Sequence, residues 1–170
     1  MVYIDYDDFK ALYGDNAIPE IDFNRLSWDA CKKLDNATTG VDNVKKLKVA
    51  FPRDEDDAIS VKRCACELVS LLYRLEQAEK TMQSAKGYVQ REDGSLQGKV
   101  VTSASAGNET LSYSANGGTN TATLFDKALA DKAVQEQLFR DTINGYLLGV
   151  ADANGVNLLY MGRYPYRVEV

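Results

Sequence analysis

Apolar residues along this chain recur mostly three or four apart, the spacing that lays a single stripe along a helix. The stripe is clearest mid-chain, where Ala58, Val61, Ala65, Leu68, Leu72 and Leu75 follow that step and Cys64, Val69 and Leu71 widen it. A band that broad predicts a core helix packed on several neighbours, not a narrow two-stranded coiled coil. It is expected to open at Asp54-Glu55-Asp56-Asp57, just after Pro52, and to reach the vicinity of Ser84 while growing more polar. Ahead of it, Asp5 is placed to cap a short helix from Tyr6 to Tyr13, with Asp8 reaching back and Gly14 ending it. Pro19 suits the first turn of a second helix running to the region of Leu34, whose Phe23, Leu26, Ala30 and Leu34 share a face. Helix returns from Leu124 to the region of Leu148, with a break near Asp131 that this residue caps. Leu138, Phe139, Ile143, Tyr146, Leu147 and Val150 supply its core positions, and Gly149 with the Asp152-Ala153-Asn154-Gly155 turn closes it.

Elsewhere the helical period is lost. Lys99 to Ser103 and Glu109 to Tyr113 flank Gly107-Asn108 and read as a β-hairpin, downstream of a turn signal at Asp93-Gly94. From Thr102 to Thr123 the residues are mainly Ser, Thr, Asn, Ala and Gly, with Glu109 the only charge. Such a stretch buries too little apolar area to fold alone, so it is expected to be a mobile arm unless neighbouring subunits hold it, or else a passive linker. Val156 to Val170 is short and aromatic, with Tyr160, Tyr164, Tyr166, Val168 and Val170 arranged around Pro165. Proline in a strand marks an edge, so this tail either folds back on its own domain or adds to the sheet edge of another protein. The fold class expected is mainly α: a helical bundle with a β-hairpin arm inserted between the long central helix and the C-terminal helix, and an extended C-terminal tail. One domain covers residues 1–170, with a helical core near 5–84 and 124–150, an arm near 87–123 and a tail near 156–170.

Composition narrows the chemistry. Apolar residues at 45% and charged residues at 26% are ordinary for a globular protein, and no apolar run approaches the length a membrane-spanning helix needs. Acidic residues stand at the start where a signal peptide would be basic and then apolar, so export by the usual route is not expected and the two N-x-T matches carry nothing. A formal charge of −5 argues against gripping nucleic acid through its phosphates, though not against a wall that DNA passes. The chain has no histidine, which removes the commonest general base, the usual triads and the commonest metal ligand at once. Cys31, Cys64 and Cys66 lack metal or redox spacing and read as small buried apolar residues. The acidic run at 54–57 reads as a helix start, with no calcium-loop spacing after it. No catalytic, cofactor or metal residue is therefore named.

Three features point to surfaces. Lys45, Lys46 and Lys48 form the most basic stretch and read as a solvated face, or as a patch that meets an acidic neighbour. Trp28 lies off its helix's stripe and either packs under a loop or serves a partner, where tryptophan is over-represented. The residues expected at a partner interface are Val100, Val101, Leu111 and Tyr113 of the hairpin and Tyr160, Tyr164, Tyr166, Val168 and Val170 of the tail.

Several words of the sequence, taken in order, carry a resemblance. They are Tyr6-x-x-Phe9-x-x-x-Tyr13-Gly14, Ile18-Pro19, Phe23-x-Arg25-Leu26, Val61-Lys62-Arg63-Cys64-Ala65-Cys66, the serine-rich Thr102 to Glu109, Leu111-Ser112-Tyr113, and Leu158-Leu159-Tyr160-Met161-Gly162 with Tyr164. Together they resemble the head–tail connector (head completion adaptor) family of long-tailed phages, which is frequent in prophages of Gram-positive bacteria. The resemblance spans nearly the whole chain. It implies a non-enzymatic virion protein of the neck, made in the bacterial cytoplasm and assembled as a dodecameric ring beneath the portal protein. Such a ring extends the channel through which double-stranded DNA passes and offers a platform for the next neck or tail protein. On this sequence the arm role falls to Thr102 to Tyr113, and the portal-reaching role to Tyr160 to Val170. The competing readings are a tail-completion or tail-tube-associated subunit, a helical interaction module unrelated to virions, and an enzyme relying on carboxylates such as Asp54 and Asp57.

Overall fold

The computed structural model describes residues 2–15, 17–85, 88–90, 96–98 and 124–165, and the fold they form is mainly helical. Helix α1 spans Tyr6–Tyr13 and starts on a complete capping box. The Asp8 amide donates to Asp5 Oδ1 at 2.7 Å while the Asp5 amide donates to Asp8 Oδ2 at 3.3 Å. Gly14, at φ 86°, ends the helix and donates to the Lys10 carbonyl, a left-handed turn where a side chain would be strained. Helix α2, Glu20–Ala37, begins immediately after Pro19, whose missing N–H would be unpaired there in any case. A single turn, α3, covers Lys46–Val49. Helix α4, Glu55–Ala85, is the longest element, and Asp54 Oδ1 accepts from the Asp56 and Asp57 amides at its start. Helices α5, Leu124–Ala130, and α6, Lys132–Leu147, are separated at Asp131, whose carboxylate accepts from the Ala133 amide at 2.8 Å.

The core forms where α4 meets the rest. It packs against α2, α6, α5 and α1, which is why its stripe is wider than a two-helix contact would need. Phe9, Phe23, Leu26 and Leu34 face Val61, Leu68 and Val69 on α4, with Phe139, Ile143 and Leu147 completing the cluster. Burying each such side chain stabilises the fold by about 1.5–3 kcal/mol. Phe9 stacks on Tyr13 and tilts against Phe23, with ring centroids 4.7 and 5.3 Å away. Ion pairs fix the register from outside: Lys62 reaches Asp8 at 3.0 Å, and Arg25 grips Glu76 with both terminal nitrogens at 2.7 Å. The latter joins the start of α2 to the far half of α4, so the two helices run antiparallel. Cys31, Cys64 and Cys66 are free and buried; burial pushes the Cys64 and Cys66 thiols up to about 12, so they stay protonated and unreactive at neutral pH.

The β-hairpin expected over 99–103 and 109–113 falls outside the described residues, and nothing within them supports a β-hairpin arm. What they contain is a pair of three-residue strands upstream of that position. These are β1, Tyr88–Gln90, and β2, Leu96–Gly98, antiparallel with Tyr88 opposite Gly98 and Gln90 opposite Leu96. In the sequence they stand on either side of Asp93-Gly94. Of the two readings open to Trp28, burial under a loop is not met among the described residues: 55% of it is exposed, with Lys32 Nζ 5.1 Å from the ring centroid.

Candidate partner-docking surface

Among the described residues no three His, Cys, Asp or Glu side chains come together to hold a metal ion, and no helix is long and apolar enough to cross a membrane. The acidic run at 54–57 is used structurally. Asp54 caps α4, and Asp57 turns inward to accept the Ala151 amide at 3.0 Å. The most elaborate polar construction lies elsewhere, where residues 150–164 fold back onto the loop between α2 and α4.

The returning segment is shaped first by its own turn. Asp152 Oδ1 accepts from the Asn154 and Val156 amides at 2.8 and 2.9 Å, and Gly155 takes φ 77° between them. The Leu158 amide then donates to the Val150 carbonyl at 3.0 Å, and Leu158 is fully buried. From the opposite side, the Val41 amide donates to the Met161 carbonyl at 3.0 Å, and Asp42 Oδ2 accepts the Tyr164 amide at 2.6 Å. That amide holds the Asp42 carboxyl below its usual range. Gly40 allows the close approach, since a Cβ there would lie 2.5 Å from the Gly162 carbonyl oxygen.

Lys46 closes this clasp. It is only 1% exposed; its ammonium donates to the Leu158 carbonyl at 2.9 Å and to the Tyr160 carbonyl, with the Tyr160 ring centroid 5.9 Å away. Burial lowers its pKa, with the charges of Asp152 and Asp42 opposing that shift. Lys48 is also engaged, pairing at 3.1 Å with Asp35, which is buried and accepts the Tyr3 hydroxyl as well. The three lysines are therefore not one solvated basic face: Lys45 is exposed, Lys46 is an internal strut and Lys48 serves a buried carboxylate.

The clasp presents an apolar surface on its outer side. Val41 is 74% exposed, Tyr160 50% and Met161 48%, and the backbone bond between Val41 and Met161 makes them neighbours. Of the residues expected at an interface, Tyr160 lies on this surface. Tyr164 does not: it is buried, its hydroxyl donates to Asp152 Oδ2 at 2.6 Å and it accepts from Asn154 Nδ2 at 2.9 Å. Of the two fates open to the tail, folding back is the one seen as far as Pro165. Val100, Val101, Leu111, Tyr113, Tyr166, Val168 and Val170 lie outside the described residues. Val41 and Met161 were not singled out from the sequence, because neither belongs to a periodic stripe; the signals available were the paired glycines, Gly40 and Gly162, and the Asp152 turn.

No protein-family model matches this chain, and no curated protein or solved structure matches it.

Proposed function

We propose that this chain is a structural virion subunit, a head–tail connector that forms a ring beneath the portal, lines the DNA channel and carries the next neck or tail protein. The observation that carries the reading is the apolar surface of Val41, Tyr160 and Met161, held on a clasp whose core is one buried lysine and its backbone acceptors. Exposed aromatic and aliphatic side chains on a rigid support lose little freedom on docking, which favours a specific contact. The resemblance in the order of sequence words supplies the partner class. A subunit of net charge −5 suits a passage for DNA better than a grip on it.

On this reading the portal is the partner of the clasp surface, and the functional unit is the ring, a dodecamer in the family resembled. The chain carries no cofactor and catalyses nothing. The test is capture by immobilised portal protein. The unaltered chain should be retained, and Val41→Asp combined with Met161→Asp should abolish retention while leaving the helical circular dichroism unchanged. Equal retention of both proteins would remove the clasp surface from the account. Failure of the unaltered chain to bind any portal would remove the connector reading.

A further inference from the structure

An open groove of about 370 Å³ lies along α6 beside the start of α5, lined by Leu124, Ala133, Val134, Gln137, Leu138 and Asp141. Four of these side chains are apolar, and Asp141 is the one charge among them. Asp141 accepts from Gln137 Nε2 at 2.7 Å and has no ion-pair partner among the described residues. Leu124, at the lip, is exposed. The groove therefore offers apolar contact beside one unbalanced negative charge.

The outer face of α2 carries the matching chemistry. Ile21, Trp28 and Lys32 share that face, and Ile21 is 79% exposed. The Lys32 ammonium stands over the Trp28 ring and has no ion-pair partner among the described residues. Arg25, on the same side, is already taken by Glu76 and Asp22. Asp29 falls about 100° around the axis from Trp28, so Lys32 sets the charge beside the indole. The chain cannot fill its own groove with this indole. Lys33, about 140° around α2 from Trp28, is the residue turned toward α6, its ammonium 4.1 Å from the Phe139 ring centroid. On α6, Val134, Gln137, Leu138 and Asp141 lie about 160–260° around the axis from Phe139, on the far side from α2.

We propose that the groove receives Trp28 of a second copy of this chain, with Lys32 of that copy paired to Asp141. An exposed indole brings a large apolar area at little cost in side-chain freedom, and the single cation beside it meets the single anion of the lining. Because the inserting face and the receiving groove lie on different sides of one chain, the contact is head-to-tail, and repeated copies close into a ring or extend as a filament. This deepens the connector reading, on which it rests, by naming a subunit–subunit contact.

The experiment uses the full-length chain with substitutions at exposed positions only, read by sedimentation velocity and by the fluorescence of the single tryptophan, Trp28, over a concentration series. The unaltered chain should self-associate with a blue shift of Trp28 emission. Trp28→Ala, which removes the inserting group, and Ala133→Arg, which blocks the groove, should each weaken association at least tenfold. Mixed together, these two variants keep one inserting face and one open groove, so they should form a pair and grow no further. Lys32→Glu and Asp141→Lys should each weaken association, and the two in one chain should restore it. An unaltered chain that stays monomeric would overturn the proposal, as would charge reversals that fail to rescue each other or a mixture that does not pair. Sensitivity to Ala133→Arg without sensitivity to Trp28→Ala would give the groove to another segment and equally overturn it. The connector reading is judged separately, by whether the unaltered chain binds portal protein. Indifference to these substitutions with portal binding intact sinks only the groove contact, whereas association that follows them without portal binding sinks only the connector.

Discussion

Replacing Lys46 by methionine tests the clasp from the inside. The side chain keeps its length and apolar stem but loses the ammonium that donates to the Leu158 and Tyr160 carbonyls. Hydrogen bonds to a charged donor are worth about 1.5–3 kcal/mol each, and a buried acceptor left unpaired costs about 1–3 kcal/mol. The Leu158 bond is buried whereas the Tyr160 bond is only partly so, and methionine also relieves the cost of burying a charge. The net expectation is a loss of about 2–4 kcal/mol in urea unfolding followed by circular dichroism. Lys45→Met, at an exposed neighbour with no ion-pair partner among the described residues, should change stability by less than about 0.5 kcal/mol. Hydrogen exchange should also quicken at Val41, Leu158 and Tyr164, whose amides are bound within the clasp.

The substitution also predicts a pH signature. Because Lys46 is lowered from 10.5 in the folded chain, the unfolded chain holds more protons at this site between the lowered value and 10.5. Stability from this group therefore rises with pH across that window, and Lys46→Met removes the rise. If Lys46→Met and Lys45→Met prove equally harmless, the ammonium is solvated and the account of the clasp is wrong.

Other outcomes follow from single contacts. Tyr164→Phe removes a donor from buried Asp152 and should cost about 2 kcal/mol, whereas a tail unconnected with the core would tolerate it. Gly40→Ala should lower the melting temperature by forcing the 40–42 loop from Gly162, at a cost of about 1–3 kcal/mol; an unchanged melting temperature would mean the two segments do not touch. Asp5→Ala breaks the capping box and should cost about 0.5–2 kcal/mol in urea unfolding, against no change if Asp5 is merely exposed. Alkali should weaken the fold in part through the Cys64 and Cys66 thiols. Cys64 and Cys66 are raised from 9.0 to about 12, so their contribution is intact below 9 and falls as pH rises toward 12, by about 1.4 kcal/mol per pH unit for each thiol. Replacing both with alanine should flatten that part of the stability profile; an unchanged slope would locate the titration elsewhere.

What the sequence made legible was local. The Asp5 to Asp8 box, Gly14, the acidic opening of α4 and the cap at Asp131 each act within a few residues, so spacing alone reveals them. The broad stripe of α4 likewise announced a central helix. Lys46 was not legible, because its acceptors are carbonyls 112 and 114 residues further along, and every residue carries a carbonyl. Nothing in a run of three lysines tells which one is internal. The helical wheel placed Trp28 off the stripe correctly, but whether a loop would cover it depended on tertiary packing. Tyr160 and Tyr164 looked equivalent in their aromatic tail. A four-residue separation, a glycine and the reach of Asp152 put one on the surface and the other in the interior.

The central claim is that this chain works by the assembly it builds, and imaging it together with portal protein by electron microscopy addresses that most directly. The account predicts a closed ring of this chain stacked coaxially on the portal, with an open channel wide enough for duplex DNA and with clasp surfaces at the junction. Portal particles that remain bare at saturating concentrations of a correctly folded chain would contradict it.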